Sequence, residues 1–438
     1  MPTRPSPQRS PRALQARLAS LAYSLLWALA LPLVVARLAW RARKQPAYLH
    51  HLGERFGRYA APPAAPLIWV HAVSVGETRA AEPLVRALLA RWPQHDVLLT
   101  HMTPTGRATA QQLFDAEPRV RSVYLPYDLA WLAARFLCHF RPRFGVIMET
   151  ELWPNLLATA ARSGVPVVLA NARLSARSAG RYARFPLLSR MTLGALAATG
   201  AQTAADAERL QALGATGVSV TGNIKFDIEA PAAALALGAA FRARCGERPV
   251  VMAASTREGE EAALLDAFAR MASPEALLLL VPRHPQRFDE VAALASERGL
   301  ALQRRSDGQV VARTTRVWLG DSMGEMFAYY AAADVALIGG SWLPFGGQNP
   351  IEACAVGTPV VLGPHTFNFE WVADAAVTAG AALREPDAAA GMARALELLA
   401  DRPRRAALAD AGRGFAAAHR GATARTLDLL QQADAARP

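Results

Sequence analysis

A carboxylate one turn past the end of a buried strand is placed to take a proton, and Glu77 occupies such a position. Residues 67–70 form a short apolar run of β-forming side chains, which predicts a buried strand. Ser74 and Gly76 follow, and a helical pattern runs from Glu77 to about Arg91. A strand, a small-residue turn and a helix start compose the ligand edge of an open α/β sheet. The turn also carries an imidazole at His71 and a hydroxyl at Ser74. Spacing alone leaves Glu77 two roles. It is a first-turn acid stabilising the helix dipole, or a general base at a cleft mouth.

Other predicted strand ends are polar too. Residues 100–106 (THMTPTG) offer Thr103 and Thr105, either as helix caps or as ligand hydroxyls. Residues 148–155 (METELWPN) place Glu149 and Glu151 at a strand end beside Trp153, which is expected to be exposed, a set suited to hydroxyl recognition and sugar stacking. Residues 171–175 (NARLS) bring Arg173, followed by Arg177, Arg181 and Arg184 at helical spacing. These arginines read equally as a solvated face or as a clamp for a phosphorylated acceptor. Further on, Ser255, Thr256 and Arg257 end a strand, with Gly259, Glu260 and Glu261 opening a helix. Arg283 and His284 end the next strand. Residues 346–352 (GGQNPIE) place Gly346 and Gly347 where backbone can approach a ligand. In that run Asn349 can cap a helix and Pro350 suits its first position. The helix start can hold a phosphate, and Glu352 can accept from ribose hydroxyls. One glycine loop is a weak signal, but polar groups on successive strand ends of one sheet are a strong one.

The elements that position these residues alternate strand and helix. Strands are predicted at 67–70, 96–100, 122–125, 144–148, 166–170 and 218–221, and then at 250–254, 277–281, 317–319, 335–338 and 359–362. Helical stretches such as 129–140 and 203–213 lie between them, and from about Pro386 the chain reads as helix to its end. Such alternation predicts mainly parallel sheets covered on both faces. Residues 227–231 break the pattern, and 232–244 read as a helix joining two halves. The expectation is α/β: two Rossmann-like doubly wound domains facing a central cleft, over residues 45–228 and 229–438.

Of 438 residues, 52% are hydrophobic and 19% charged, which excludes a disordered chain. The net charge of +12 is concentrated: ten of the 48 Lys and Arg lie in the first 60 residues, against one acid, Glu54. They flank residues 18–36, which carry no charge. Such a basic excess around an apolar segment points to an anionic membrane surface rather than to nucleic acid. Nineteen helical residues span about 28 Å, enough for a bilayer core, and Pro32 does not exclude this. A cleaved signal peptide is one alternative, with residues 28–30 as its cleavage site. A surface-lying or core helix is another. Arg37, Arg41, Arg43 and Lys44 lie just downstream and disfavour translocation. Residues 1–44 are therefore taken as a basic segment and membrane anchor. Charge does not orient it, since Arg4, Arg9, Arg12 and Arg17 balance the other flank. Cys138, Cys245 and Cys354 are too scattered for zinc or a disulfide framework, and are expected as buried free thiols. No DxD triplet occurs, so no divalent metal is expected.

Six stretches together resemble one family: residues 71–77 (HAVSVGE), 148–155, 171–175, 222–227 (GNIKFD), 282–287 (PRHPQR) and 346–352. They look like the Kdo (3-deoxy-D-manno-octulosonic acid) transferases of Gram-negative bacteria, and the apolar N-terminus matches as well. The resemblance implies a GT-B fold and transfer of Kdo from CMP-Kdo to the lipid A precursor, lipid IVA. It implies no cofactor, and an inner-membrane enzyme with its catalytic domains on the cytoplasmic face. By motif position, Glu77 becomes the general base of an inverting transfer. Donor contacts are expected at Ser255, Thr256, Arg283 and His284, and at Gly346, Gly347, Gln348, Asn349 and Glu352. Acceptor contacts are expected at Ser74, Thr103, Thr105, Glu149 and Glu151, with Arg173 and Lys225. A GT-B enzyme using a UDP-sugar is the competing enzymatic reading, and a non-catalytic lipid A-binding protein is the competing reading from another class.

Overall fold

The computed structural model describes residues 11–43, 45–61 and 64–436. The chain forms two compact units, which divide after Asp227; the stretch from Gly421 onward returns to the first.

In the first unit the strands are β1 (Leu67–His71), β2 (Asp96–His101), β3 (Val120–Tyr124), β4 (Gly145–Met148), β5 (Val167–Ala172), β6 (Ala198–Ala201) and β7 (Val218–Val220). The helices are α1 (Pro11–Ala42), α2 (Val75–Arg91), α3 (Pro104–Leu113), α4 (Ala130–Phe140), α5 (Pro154–Arg162), α6 (Ala176–Tyr182), α7 (Pro186–Gly194) and α8 (Ala204–Ala212). The sheet is wholly parallel, in the order β3-β2-β1-β4-β5-β6-β7. Both faces are covered, so β1 is apolar from Leu67 to Val70, and His71 at its end is buried as well. Leu67 and Trp69 pack with Leu98, Ile147 and Leu169, while Ile68 and Val70 pack with Val97, Leu99 and Val146 on the other face. Each such side chain contributes roughly 1.5–3 kcal/mol by leaving water. Gly145 pairs with Trp69 across β1 and β4, and a Cβ there would lie 2.5 Å from the indole. That close approach explains a glycine at the start of a buried strand.

The second unit repeats the plan with β8 (Val250–Thr256), β9 (Leu277–Pro282), β10 (Leu302–Arg304), β11 (Val317–Leu319), β12 (Val335–Ile338), β13 (Val360–Leu362) and β14 (Ala382–Arg384). Its helices are α9 (Ala232–Cys245), α10 (Glu260–Met271), α11 (Phe288–Glu297), α12 (Met326–Ala332), α13 (Ile351–Val356), α14 (Glu370–Thr378), α15 (Ala388–Ala400) and α16 (Arg402–Ala418). The sheet is again parallel, in the order β10-β11-β9-β8-β12-β13-β14. In both sheets the strand order reverses beside the unit's first strand, at β1/β4 and at β8/β12. Ligands of open α/β sheets bind at such switch points, outside the carboxyl ends of the strands.

The structure differs from the sequence reading in particular places. β6 (ATGA), β10 and β14 were not expected; the first is made of small residues with Thr199 alone β-branched, and the others are three-residue strands at a sheet's edges. The expected second domain ran to residue 438, but the last helix, α17 (Ala422–Ala435), packs on the first unit. Its Leu430 and Ala433 join the core of Ile68 and Val70. Asp227 accepts from the Gly421 and Thr423 amides at 2.6 and 2.5 Å, which caps this helix. Cys138 is exposed, unlike Cys245 and Cys354, because it sits on the outer face of α4.

Within α1, Leu18–Ala42 has a mean hydropathy of 2.0 and is by length and composition sufficient to cross a membrane. One side of it nevertheless packs on the first unit. Tyr23 donates to Asp128 at 2.8 Å, Trp27 Nε1 donates to the Tyr23 hydroxyl, and Ser24 meets Asn155 Oδ1 at 3.0 Å. Trp27, Leu31 and Val34 cover Tyr127, Leu129 and Leu132. The opposite stripe, including Leu18, Leu21, Leu25, Leu29 and Leu33, is exposed. Arg4, Arg9, the side chains of Arg12 and Arg17, and Lys44 lie outside the described residues.

Candidate functional site

The switch point of the first sheet gathers most of the expected acceptor residues. Ser74 caps α2, accepting from the Glu77 amide at 3.4 Å while its hydroxyl donates to Glu77 Oε1 at 3.1 Å. Glu77 Oε2 accepts from the Val73 amide at 2.7 Å. This is a capping-box geometry, reaching back one residue before the cap. Glu77 is therefore a first-turn acid that stabilises the start of α2, and its protonation gives it a second property. Burial raises its carboxyl to about 7; the Val73 bond opposes this, and the charges of Glu149 and Glu151 add to it. A half-ionised carboxylate near neutral pH suits a general base.

Thr103 is committed locally. It caps α3 by accepting from Gly106 N and donates to Val73 O at 2.9 Å, which fastens the second turn to the first. Thr105 is exposed on the first turn of α3. Just past β4, Glu149 takes a left-handed backbone conformation with φ +57°, a strained choice for a non-glycine residue. Its carboxylate pairs with Lys225 at 3.0 Å. Asn171, also left-handed, accepts from Ile224 N through its side chain and so holds the Lys225 segment against β5. Burial and then Glu149 raise the Glu151 carboxyl, while Trp153 Nε1 donates to it at 3.3 Å. Arg173 is half-buried between β5 and α6.

Two expectations here are corrected. Trp153 is not exposed for sugar stacking, since it stacks on Trp27 of α1 with ring centroids 6.4 Å apart. His71 is fully buried, with Nδ1 on Thr100 Oγ1 at 2.9 Å, and burial pulls its pKa down to about 3. It is a neutral core group, not part of the open turn.

In the second unit the switch point lies between Ser255 and the glycines after β12. Ser255 is left-handed, at φ +55°, where β8 bulges. Gly339 packs on it so closely that a Cβ would lie 2.5 Å from Ser255 O. Gly347 N and Gln348 N return to Gly340 O and Gly339 O at 2.7 and 3.0 Å, folding residues 339–348 into a tight loop. Asn349 Oδ1 accepts from Ile351 N, while its amide approaches Glu352 at 3.4 Å. The short helix α13 thus starts at Ile351, one residue later than expected, with Pro350 before it. Thr256 is buried and donates to Glu261, which is itself paired with Arg287 at 3.0 Å; its hydroxyl faces inward rather than to a ligand. His284 is exposed. Partial burial lowers its pKa, and the positive charges of Arg257, Arg283 and Arg287 add to this. Arg257 and Arg283 bring positive charge to the ends of β8 and β9, where an anion would be favoured, while Arg287 is matched by Glu261 and Glu290.

Glu260 escaped the sequence reading. It is fully buried, and its carboxylate accepts from the amides of Arg257 and Gly340 at 2.8 and 2.7 Å, and of Trp342 and Leu343 at 2.9 and 3.3 Å. It pins the turn after β8 to the loop after β12. The only signal was a pair of acids opening a helix. Among the described residues, no cluster of three His, Cys, Asp or Glu could hold a metal ion.

Two parallel seven-stranded units, each with a polar switch-point edge, define a GT-B-type glycosyltransferase fold. A glycosyltransferase from Rickettsia africae shares it with a TM-score of 0.60 over 85% of this chain and 99% of its own, at 12% identity. The UDP-GlcNAc 2-epimerase of Neisseria meningitidis does so with a TM-score of 0.58 over 84% of this chain and 100% of its own, at 15% identity. The profile of the 3-deoxy-D-manno-octulosonic-acid transferases (kdotransferases) matches residues 50–228, and that of glycosyl transferases group 1 matches residues 295–415. The 3-deoxy-D-manno-octulosonic acid transferase of Bordetella pertussis is 51% identical over 86% of this chain and 90% of its own. The Haemophilus influenzae enzyme of the same name is 37% identical over 93% and 97%. The chain belongs to the Kdo transferase family.

Proposed function

We propose that this Kdo transferase takes Kdo from CMP-Kdo and joins it to a sugar hydroxyl of the lipid A precursor, lipid IVA, with Glu77 as general base. The observation that carries the reading is the Glu77 carboxyl, raised to about 7 at the β1/β4 switch point. A sugar hydroxyl is a poor nucleophile until its proton is accepted, and a base titrating near neutral pH suits that task. Attack inverts the donor carbon, the hydroxyl proton passes to Glu77, and the electron pair of the breaking bond leaves with CMP. Arg283 and His284, beside Arg257 and Arg287, would meet the CMP phosphate, together with Ser255 and the 346–349 loop. Glu352 would accept from the ribose. Thr256 would act from behind, through Glu261. On the first unit, Ser74, Glu149, Glu151, Arg173 and Lys225 would orient the acceptor sugar; Thr103 would hold the turn, and Thr105 would stand at its rim. In this reading the first unit is the acceptor domain and the second the donor domain, no metal takes part, and the enzyme works on the cytoplasmic face of the inner membrane. Mass spectrometry of the product from CMP-Kdo and tetraacylated precursor tests it. Product heavier by Kdo units is expected, and unmodified acceptor with intact CMP-Kdo overturns it.

A further inference from the structure

Beside Glu151 the first unit carries a groove of about 470 Å³ that the transfer chemistry does not use. Its walls come from α1, the segment before α5, and helices α6 and α7: Tyr23, Leu152, Tyr182, Phe185, Leu188 and Thr192 are among its lining residues. Its volume lies within the range of small-ligand sites, which runs from about 300 to 1,000 Å³. Phe185 in its lining is 66% exposed, an apolar presentation a water-facing surface avoids.

Three relationships say what belongs there. The groove is continuous with α1, whose outward stripe of leucines is left uncovered. Arg181 stands exposed in the groove's lining, and among the described residues no acid pairs with it, so a cation stands at the edge where the floor is apolar. At the inner end lies Tyr182, whose phenol is raised by burial and further by the charge of Glu151. An apolar slot with a cationic rim that begins beside a sugar-binding acid matches an amphiphile with a sugar, a phosphate and a hydrocarbon tail. Detergent-like apolar compounds lack the anion, and free sugar phosphates lack the tail.

We propose that this groove seats an acyl chain of the acceptor glycolipid, with Arg181 at its phosphate. The proposal rests on the reading of the acceptor given above and adds the site that recognises its lipid part. The groove then distinguishes acylated from deacylated acceptor in KM rather than in kcat, because the chain lies away from the reacting hydroxyl.

The test uses the full-length protein. A tetraacylated acceptor bearing a diazirine at one chain end is photolysed on the wild type, and labelled peptides are mapped. Labelling within 178–193 is expected, and it should persist in excess phosphatidylglycerol vesicles. Labelling confined to α1 residues other than Tyr23, or labelling abolished by those vesicles, overturns the proposal, the second outcome assigning the groove to bulk phospholipid. In parallel, Leu188→Trp narrows the groove. It should raise KM for tetraacylated acceptor about tenfold, corresponding to the loss of one to two methylene contacts, while kcat and donor KM hold. Unchanged acceptor KM in a folded variant contradicts the site. If the wild type makes product and the variant behaves like it, only the groove assignment fails. If the wild type makes no product, the acceptor reading fails and the groove assignment falls with it.

Discussion

Lys225 Nζ lies 3.0 Å from Glu149 Oε1, bridging 76 residues of sequence, and so offsets one of the two acids that act on Glu77. The pair joins the segment after β7 to the end of β4. Its consequence is electrostatic: Glu149 with its cation is a weaker perturber of Glu77 than Glu149 alone would be.

The pH profile should show this. Glu77 acts as a base only when ionised, and its carboxyl titrates at about 7. kcat/KM should therefore rise with pH up to about 7 and level off above it. Glu151→Gln removes a neighbouring negative charge and should move the acid limb to lower pH. Lys225→Met leaves Glu149 uncompensated and should move it to higher pH. Shifts in the same direction in both variants would rule out this coupling.

Glu260 is expected to matter as a positioning residue. Oε2 accepts from Arg257 and Gly340, and Oε1 from Trp342 and Leu343. In Glu260→Gln one oxygen becomes an NH₂ group that cannot accept, which leaves two amides without a partner. The loss should be roughly 3 kcal/mol, seen as a lower melting temperature, with weaker CMP protection in the same assay. A melting curve like the wild type's would show that the loop does not depend on this carboxylate.

Removing residues 1–42 tests α1. The truncated chain should sediment less with anionic vesicles. It should also melt earlier, by roughly 5 °C or more, because Tyr127, Leu129 and Leu132 lose their cover and Asp128 loses Tyr23. Unchanged melting would mean that the helix contributes nothing to the fold.

Activity should survive EDTA, since arginines and backbone amides provide the charge for a single phosphate. Loss of turnover in EDTA with recovery in magnesium would overturn this, and would turn attention to Glu149 and Glu151.

Much of this was legible in the chain. Long apolar strands such as 67–70 and 277–281 announced themselves, because strands buried on both faces admit few polar residues. The polar strand ends stood out against them, and placed Glu77, Glu149 and Ser255 at edges that the folded sheets confirm as switch points. What stayed hidden depended on partners far away in sequence. Thr256 looked outward until Glu261 took its hydroxyl. Trp153 looked exposed until Trp27 covered it. The return of α17 to the first unit needed Asp227 as its cap and an open apolar face to fill, neither of which a local pattern reveals.

The most direct measurement is single-turnover Kdo transfer by Glu77→Gln with CMP protection measured alongside. Gln retains an oxygen for the Val73 amide but cannot accept the proton. Turnover should fall roughly 10²–10⁴-fold with CMP binding unchanged. Near-normal transfer by a folded Glu77→Gln variant would show that Glu77 serves only the capping box of α2.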